Sequence, residues 1–196
     1  LVGGTVAVHR ILRIKGRLRP YLHTFETASV GITHVSLDGQ WIRVNRKMAE
    51  ITGYTAEELL QLSFEDISLE EEIPENTKMN KKLVAGEIDS YSMEKRYRRK
   101  DGRVIWVKTT PSLARHPDGT PHYFITVIED IDELKRSQLA LQENEARFRA
   151  FWNNSPFNQS VKDKLGNLME INRTYRQTFG IPDTAITGQS LSETHD

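Results

Sequence analysis

The chain has 196 residues, no cysteine, and 27 basic residues against 27 acidic ones. Missing thiols exclude disulfides, thiolate metal sites, cysteine nucleophiles and flavin–cysteine adducts, and they fit a reducing, cytoplasmic setting. A formal net charge of zero argues against a nucleic-acid partner, and no apolar run reaches the ~18 residues that cross a bilayer.

Residues 1–23 form a basic lead-in. Leu1 to Val8 is small and apolar, and Arg10, Arg13, Lys15, Arg17 and Arg19 follow with no acidic residue among them. An amphipathic helix with Ile11, Leu12 and Ile14 on its apolar side is favoured over the cytoplasmic exit of a truncated membrane helix, which would attach the protein to the inner membrane. The chain opens on Leu1 and stops at Asp196 without a closing element, so the expectation is a piece of a longer protein.

From residue 24 the pattern becomes that of a mixed domain. Ile32 to Leu37 reads as a strand, Asp38-Gly39 as the positive-φ pair of a tight hairpin, and Gln40 to Val44 as the returning strand. Asn45 suits the start of a short helix that turns Met48 and Ile51 inward and ends at Gly53. Thr55 and Glu58 have the spacing of a capping box, with Leu59 and Leu60 presented to the core. Glu70, Glu71 and Glu72 sit at adjacent positions in a loop, a solvated acidic stretch before a helix over about Glu75 to Gly86.

The period then changes to alternation. Tyr91, Met93 and Tyr97 share one face of a strand, and Glu94, Arg96 and Arg98 the other; the basic run Lys95 to Lys100 reads as its wet side. Asp101-Gly102 makes a second hairpin. On the next strand Ile105 and Val107 oppose Val104 and Trp106, and after Pro117-Asp118-Gly119 the near-continuous apolar run from Tyr123 to Glu129 has the character of a central strand. Three short helices' worth of apolar positions against five strands predicts an α+β fold, an antiparallel five-stranded sheet with helices on one face.

A linker helix follows over 132–152, with Asp132 as its cap. Ile131, Leu134, Leu141, Phe148 and Trp152 fall on a heptad grid interrupted by Gln138 and Glu145, the seam of a two-stranded coiled coil and hence of a homodimer; an amphipathic helix folded back on its own domain is the alternative. Beyond it the chain repeats itself. A shift of 127 positions lays Gly39 on Gly166, Asn45 on Asn172, Arg46 on Arg173, Gly53 on Gly180 and Ser63 on Ser190.

These residues resemble a known family. Gly31-Ile32, Asp38-Gly39, Val44-Asn45-Arg46, Ile51-Thr52-Gly53-Tyr54 and Glu57-Glu58-Leu59 are similar to the front half of a PAS domain. Lys95 through Gly102, Val104-Ile105-Trp106-Val107, Asp118-Gly119 and Val127 through Ile131 resemble its C-terminal PAC half. The resemblance covers residues 24–131 as one PAS domain and 153–196 as a truncated second one. It implies a PAS fold that detects a small ligand or partner and relays the change along its C-terminal helix to an output domain in the same polypeptide, such as a histidine kinase or diguanylate cyclase. The family's closing Asp-Ile-Thr triplet stands here as Asp130-Ile131-Asp132, the expected signal relay.

What the resemblance implies about chemistry is mostly negative. Haem-binding relatives carry a histidine on the long helix, and this one has none; His9, His23, His34, His116, His122 and His195 read as surface or turn residues, without a metal cluster. With haem and covalent flavin argued against, a non-covalent small ligand is left, with Tyr91, Met93, Tyr97, Trp106 and Phe124 as the pocket candidates. No catalytic constellation is expected within the chain. The rival function is a ligand-free spacer that only dimerises. A filled interior would favour the spacer, and a pocket of ~300 Å³ or more with converging polar groups would favour sensing.

Overall fold

The computed structural model describes residues 20–182. The basic lead-in through Arg19, His9, Ser190 and His195 lie outside the described residues. By its internal contacts the chain divides into two units, residues 1–135 and 136–196.

In the first unit a helix α1 (residues 20–27) precedes strands β1 (Gly31–Val35) and β2 (Trp41–Val44). Helices α2 (Arg46–Thr52), α3 (Ala56–Leu59) and α4 (Phe64–Ile67), a 3₁₀ turn at Glu70–Glu72 and helix α5 (Ile73–Ala85) follow. Strands β3 (Met93–Arg98), β4 (Val104–Arg115) and β5 (Pro121–Asp130) complete the unit. The five strands form one antiparallel sheet in the order β2-β1-β5-β4-β3. The predicted α+β architecture is therefore present, with β5 in the middle.

Period-two alternation decides what the sheet presents to the helices. Val35, Tyr97, Ile105, Val107 and Ile128 are buried with Met48, Ile51, Leu59, Ile67 and Leu83 from the helices in one core. Capping follows the sequence: Asn45 accepts the Met48 amide, Thr55 and Glu58 form their reciprocal box, and Gly53 and Gly86 end their helices in the left-handed region.

Two local expectations are corrected. Among the described residues only glycines have positive φ, so Asp38-Gly39 is not a positive-φ pair, and the expected hairpin at Asp101-Gly102 is built in the same way. Gly102 N–H donates to the Arg99 carbonyl at 2.9 Å and Arg99 N–H to that of Arg103 at 2.8 Å, a three-residue loop closed by one left-handed glycine. Asp101 keeps an ordinary conformation and its carboxylate accepts the Arg103 amide at 2.9 Å. The acidic stretch is not fully solvated either. Glu72 accepts from the Arg96 amide at 2.6 Å and from its Nε at 2.7 Å, tying the 3₁₀ turn to β3.

In the second unit β6 (Ser160–Lys162) pairs antiparallel with β7 (Leu168–Ile171), and α7 (Arg173–Phe179) follows. Helix α6 (Asp132–Asn154) runs for 23 residues with none of them buried. Its seam residues Leu134, Leu141 and Phe148 are 56%, 68% and 52% exposed. Among the described residues no helix is long and apolar enough to cross a membrane.

The repeat read from sequence recurs atom for atom. Asn45 Oδ1 accepts the amides of Ile32 and Met48, while its Nδ2 donates to the carbonyls of Phe25 and Val30. Asn172 Oδ1 accepts from Gln159 and Tyr175, and its Nδ2 donates to Trp152 and Phe157. All four partners are displaced by the same 127 positions. Each asparagine is fully buried because it ties three segments by their backbones.

Candidate ligand cavity and strand–helix relay

Between the inner face of the sheet and helices α4 and α5 lies a small cavity of about 30 Å³. That is room for about two waters. Its walls are unusually polar for a core: Thr33, Trp41, Asn76, Lys95 and Thr109 all line it. Trp41 Nε1 and Thr33 Oγ1 are buried and have no hydrogen-bond partner among the described residues. A buried polar atom left in this way costs roughly 1–3 kcal/mol.

Lys95 is the group that sequence reasoning missed. It is 3% exposed, and its register partner across the ladder is Val107, which is 0% exposed. Its Nζ reaches Ser68 Oγ at 3.4 Å and lies 5.3 and 5.0 Å from the ring centroids of Phe64 and Tyr97. No carboxylate pairs with it among the described residues. Burial lowers its pKa to about 8, and the field of Glu72 offsets that only in part. The basic run led to the wet face, but alternation from Met93 and Tyr97 already pointed residue 95 inward; that parity was the available signal.

The five pocket candidates separate. Tyr97 and Phe124 line the cavity. Tyr91 stands one layer back, donating to Asn80 Oδ1 at 2.8 Å and accepting from Asn76 Nδ2 at 3.0 Å. Burial raises the pKa of both tyrosines, so each stays a neutral phenol. Met93 packs on the core beside Asn76, its Sδ 3.8 Å from Nδ2. Trp106 is not a pocket residue: it alternates with buried Ile105 and Val107 and lies on the other face, under the cations of Arg96 and Lys135 at 5.5 and 5.4 Å. His34 is likewise more than a surface residue. Its ring stacks on Tyr123 at 4.8 Å, and burial lowers its pKa.

Beside the cavity an apolar cleft of about 490 Å³ runs between α5 and the β1–β2 loop. Phe64, Asn80 and Phe124 belong to both walls and form the partition. A Cβ on Gly39 would lie 2.9 Å from the Phe64 ring, so only glycine leaves that ring its place.

The strand–helix joint is built on the Trp106 backbone. Ile131 N–H donates to the Trp106 carbonyl at 3.0 Å, and Trp106 N–H donates to the Asp132 carboxylate at 3.3 Å. Asp132 is the first residue of α6 instead of its cap; the Ile131 carbonyl accepts the Lys135 amide, and the Asp130 carboxylate accepts the Asp132 amide at 3.0 Å. The sheet's residue 106, having no inward role, thus holds the start of the helix.

Comparison with known proteins agrees with this geometry. Residues 41–128 match the family described as the PAS fold. The chain is 41% identical over 123 residues to the probable diguanylate cyclase DgcE of Escherichia coli (strain K12), covering 63% of this chain and 11% of that protein. It is 26% identical over 146 residues to the sensor histidine kinase TmoS of Ectopseudomonas mendocina, covering 69% of this chain and 15% of that protein. The chain thus spans a small part of these relatives. The crystal structure of the PAS domain of an HTR-like protein from Haloarcula marismortui superposes with a TM-score of 0.55 at 21% identity, over 63% of this chain and 98% of that one. The first unit of this chain has the PAS fold.

Proposed function

We propose that the chain is the sensory and relay segment of a multidomain cytoplasmic signalling protein. The first unit detects a small, non-covalently bound ligand, and the joint at Asp130, Ile131 and Asp132 passes the change into α6. The second unit is the opening of another PAS domain, a reading supported by the Asn172 network. The output domain, a diguanylate cyclase or histidine kinase as in the relatives, lies elsewhere in the polypeptide and performs any catalysis. The observation that carries this reading is the direct hydrogen bonding of Trp106 to both Ile131 and Asp132, which couples a sheet strand to the helix. Asp132→Ala is expected to raise amide exchange in the first two turns of α6 at least about threefold while the core strands keep their protection. Unchanged exchange in α6 would remove the relay.

The exposed heptad seam on α6 is matched to a second copy of the chain. Leu141→Glu places a charge on that seam and is expected to weaken dimerisation about tenfold or more in sedimentation. A chain that is monomeric before substitution rules the dimer out. The ligand-free spacer is the second reading, and the cavity of only about 30 Å³ favours it.

A further inference from the structure

Among the described residues the Lys95 ammonium in the cavity has no carboxylate paired with it and two hydrogen-bonding groups have no partner, and the cavity abuts an apolar cleft. We propose that the cavity receives the carboxylate of an amphipathic monocarboxylic acid, with Lys95 as its counter-ion and the apolar tail laid in the cleft beyond Phe64. This rests on the reading of the first unit as a ligand sensor and names its ligand class.

The donor set fits a carboxylate. Among the described residues Lys95 Nζ uses one of its three donors, on Ser68, and the Trp41 indole N–H and the Thr33 hydroxyl have no partner. All three groups line one space of about 30 Å³, enough for a carboxylate group and for little else. Water alone could satisfy the indole and the hydroxyl but would leave the ammonium without a counter-charge. A neutral polar ligand would leave the same deficit. A buried ammonium is costly to keep, as its lowered pKa of about 8 attests, and an anion beside it relieves that cost.

The tail follows from the partition. The apolar wall of the cleft is Leu37, Val84, Ala85 and the rings of Phe64 and Phe124, and Asp38, Glu65 and Lys81 also line it. Phe64 is half-buried on a four-residue helix and rests on Gly39, and in the proposal its ring turns about χ1 to open the partition it shares with Asn80 and Phe124. An acid with a short apolar chain then fills both. Its charged end sits under the sheet, and its chain replaces water against the cleft wall.

The experiment is calorimetry of the 196-residue chain with sodium octanoate, sodium acetate and octan-1-ol, on the natural sequence and on Lys95→Met. Octanoate is expected to bind, at least about tenfold tighter than acetate and tenfold tighter than octanol, and Lys95→Met to remove the advantage over octanol. The Trp41 indole N–H resonance, assigned by its loss in Trp41→Phe, is expected to shift on adding octanoate. A second variant, Val84→Asp, leaves the cavity intact and should weaken octanoate while acetate is unaffected. Octanoate that fails to bind, binds no better than acetate, or binds Lys95→Met equally well overturns the assignment. The octan-1-ol titration on the same samples separates the two failures: octanol bound as tightly as octanoate sinks the acid class alone, whereas no binding of any of the three ligands leaves the ligand-free spacer.

Discussion

Lys95→Met should make the protein more stable at pH 7, by roughly 2–3 kcal/mol in urea unfolding. The folded protein holds this lysine at a pKa of about 8 against 10.5 in the unfolded chain, because burial penalises the ammonium. Below pH 8 both states carry the proton and the folded state bears the whole penalty. Between about 8 and 10.5 the folded state has released its proton while the unfolded state still binds one, so stability rises with pH through that window. Methionine has nothing to titrate, so its advantage is full below pH 8 and shrinks as the pH climbs toward 10. The gap between the two proteins isolates Lys95 from the other lysines. Measurements stop near pH 10, where Tyr91 and Tyr97 begin to contribute with the opposite sign: their raised folded pKa values make stability fall as the unfolded tyrosines ionise. A gap that is independent of pH, or a methionine variant less stable at every pH, would mean that Lys95 is not a strained charge in the resting protein.

Asn45→Ala has the opposite sign and a larger expected cost, about 3–5 kcal/mol in the first unit. The side chain satisfies two amides and two carbonyls at 2.9 to 3.0 Å, from the end of α1, the approach to β1 and the first turn of α2. Alanine leaves those groups without partners in a site that is 0% exposed, and three segments lose their common tie. Asn172→Ala removes the matching four bonds from the second unit. It is expected to increase amide exchange in β6, β7 and α7 while the five-stranded sheet keeps its protection. Loss of less than about 1 kcal/mol for Asn45→Ala would show that water replaces the side chain and that the network is not what joins the segments.

Much of the fold was legible because it is local. Helix caps at Asn45, Thr55 and Gly53 need only three or four residues of context, and the alternation along β3 to β5 follows from the pleat. The repeat of 127 positions was visible in turn glycines and a single asparagine. The hairpins were legible as hairpins, yet their turn class was not. An Asp-Gly pair serves both a two-residue turn and a three-residue loop, and strand register chooses between them.

The candidate site was legible only in part. Alternation put Tyr97 on one face with Tyr91 and Met93, the near-continuous apolar run around Phe124 left its face open, and the triplet at Asp130 was read by resemblance. Trp106 stood among the pocket candidates because alternation gave two faces without saying which is inner, and the burial of Ile105 and Val107 put it on the outer one. Lys95 was misplaced because five of the six residues from Lys95 to Lys100 are basic, and a charge run is ordinarily solvated. Glu72 was misplaced for the converse reason, since its partner Arg96 is 24 residues away.

Composition, period and cap spacing by themselves determined the class of fold, the order of its five strands and the repeat, because each of those depends on neighbours along the chain. Packing decided the rest. The burial of Lys95, the indole of Trp41 without a partner among the described residues, and the wall that Phe64 sets between cavity and cleft arise where five strands and two helices converge. A side chain's solvation there depends on groups tens of residues distant, and no local pattern carries that information.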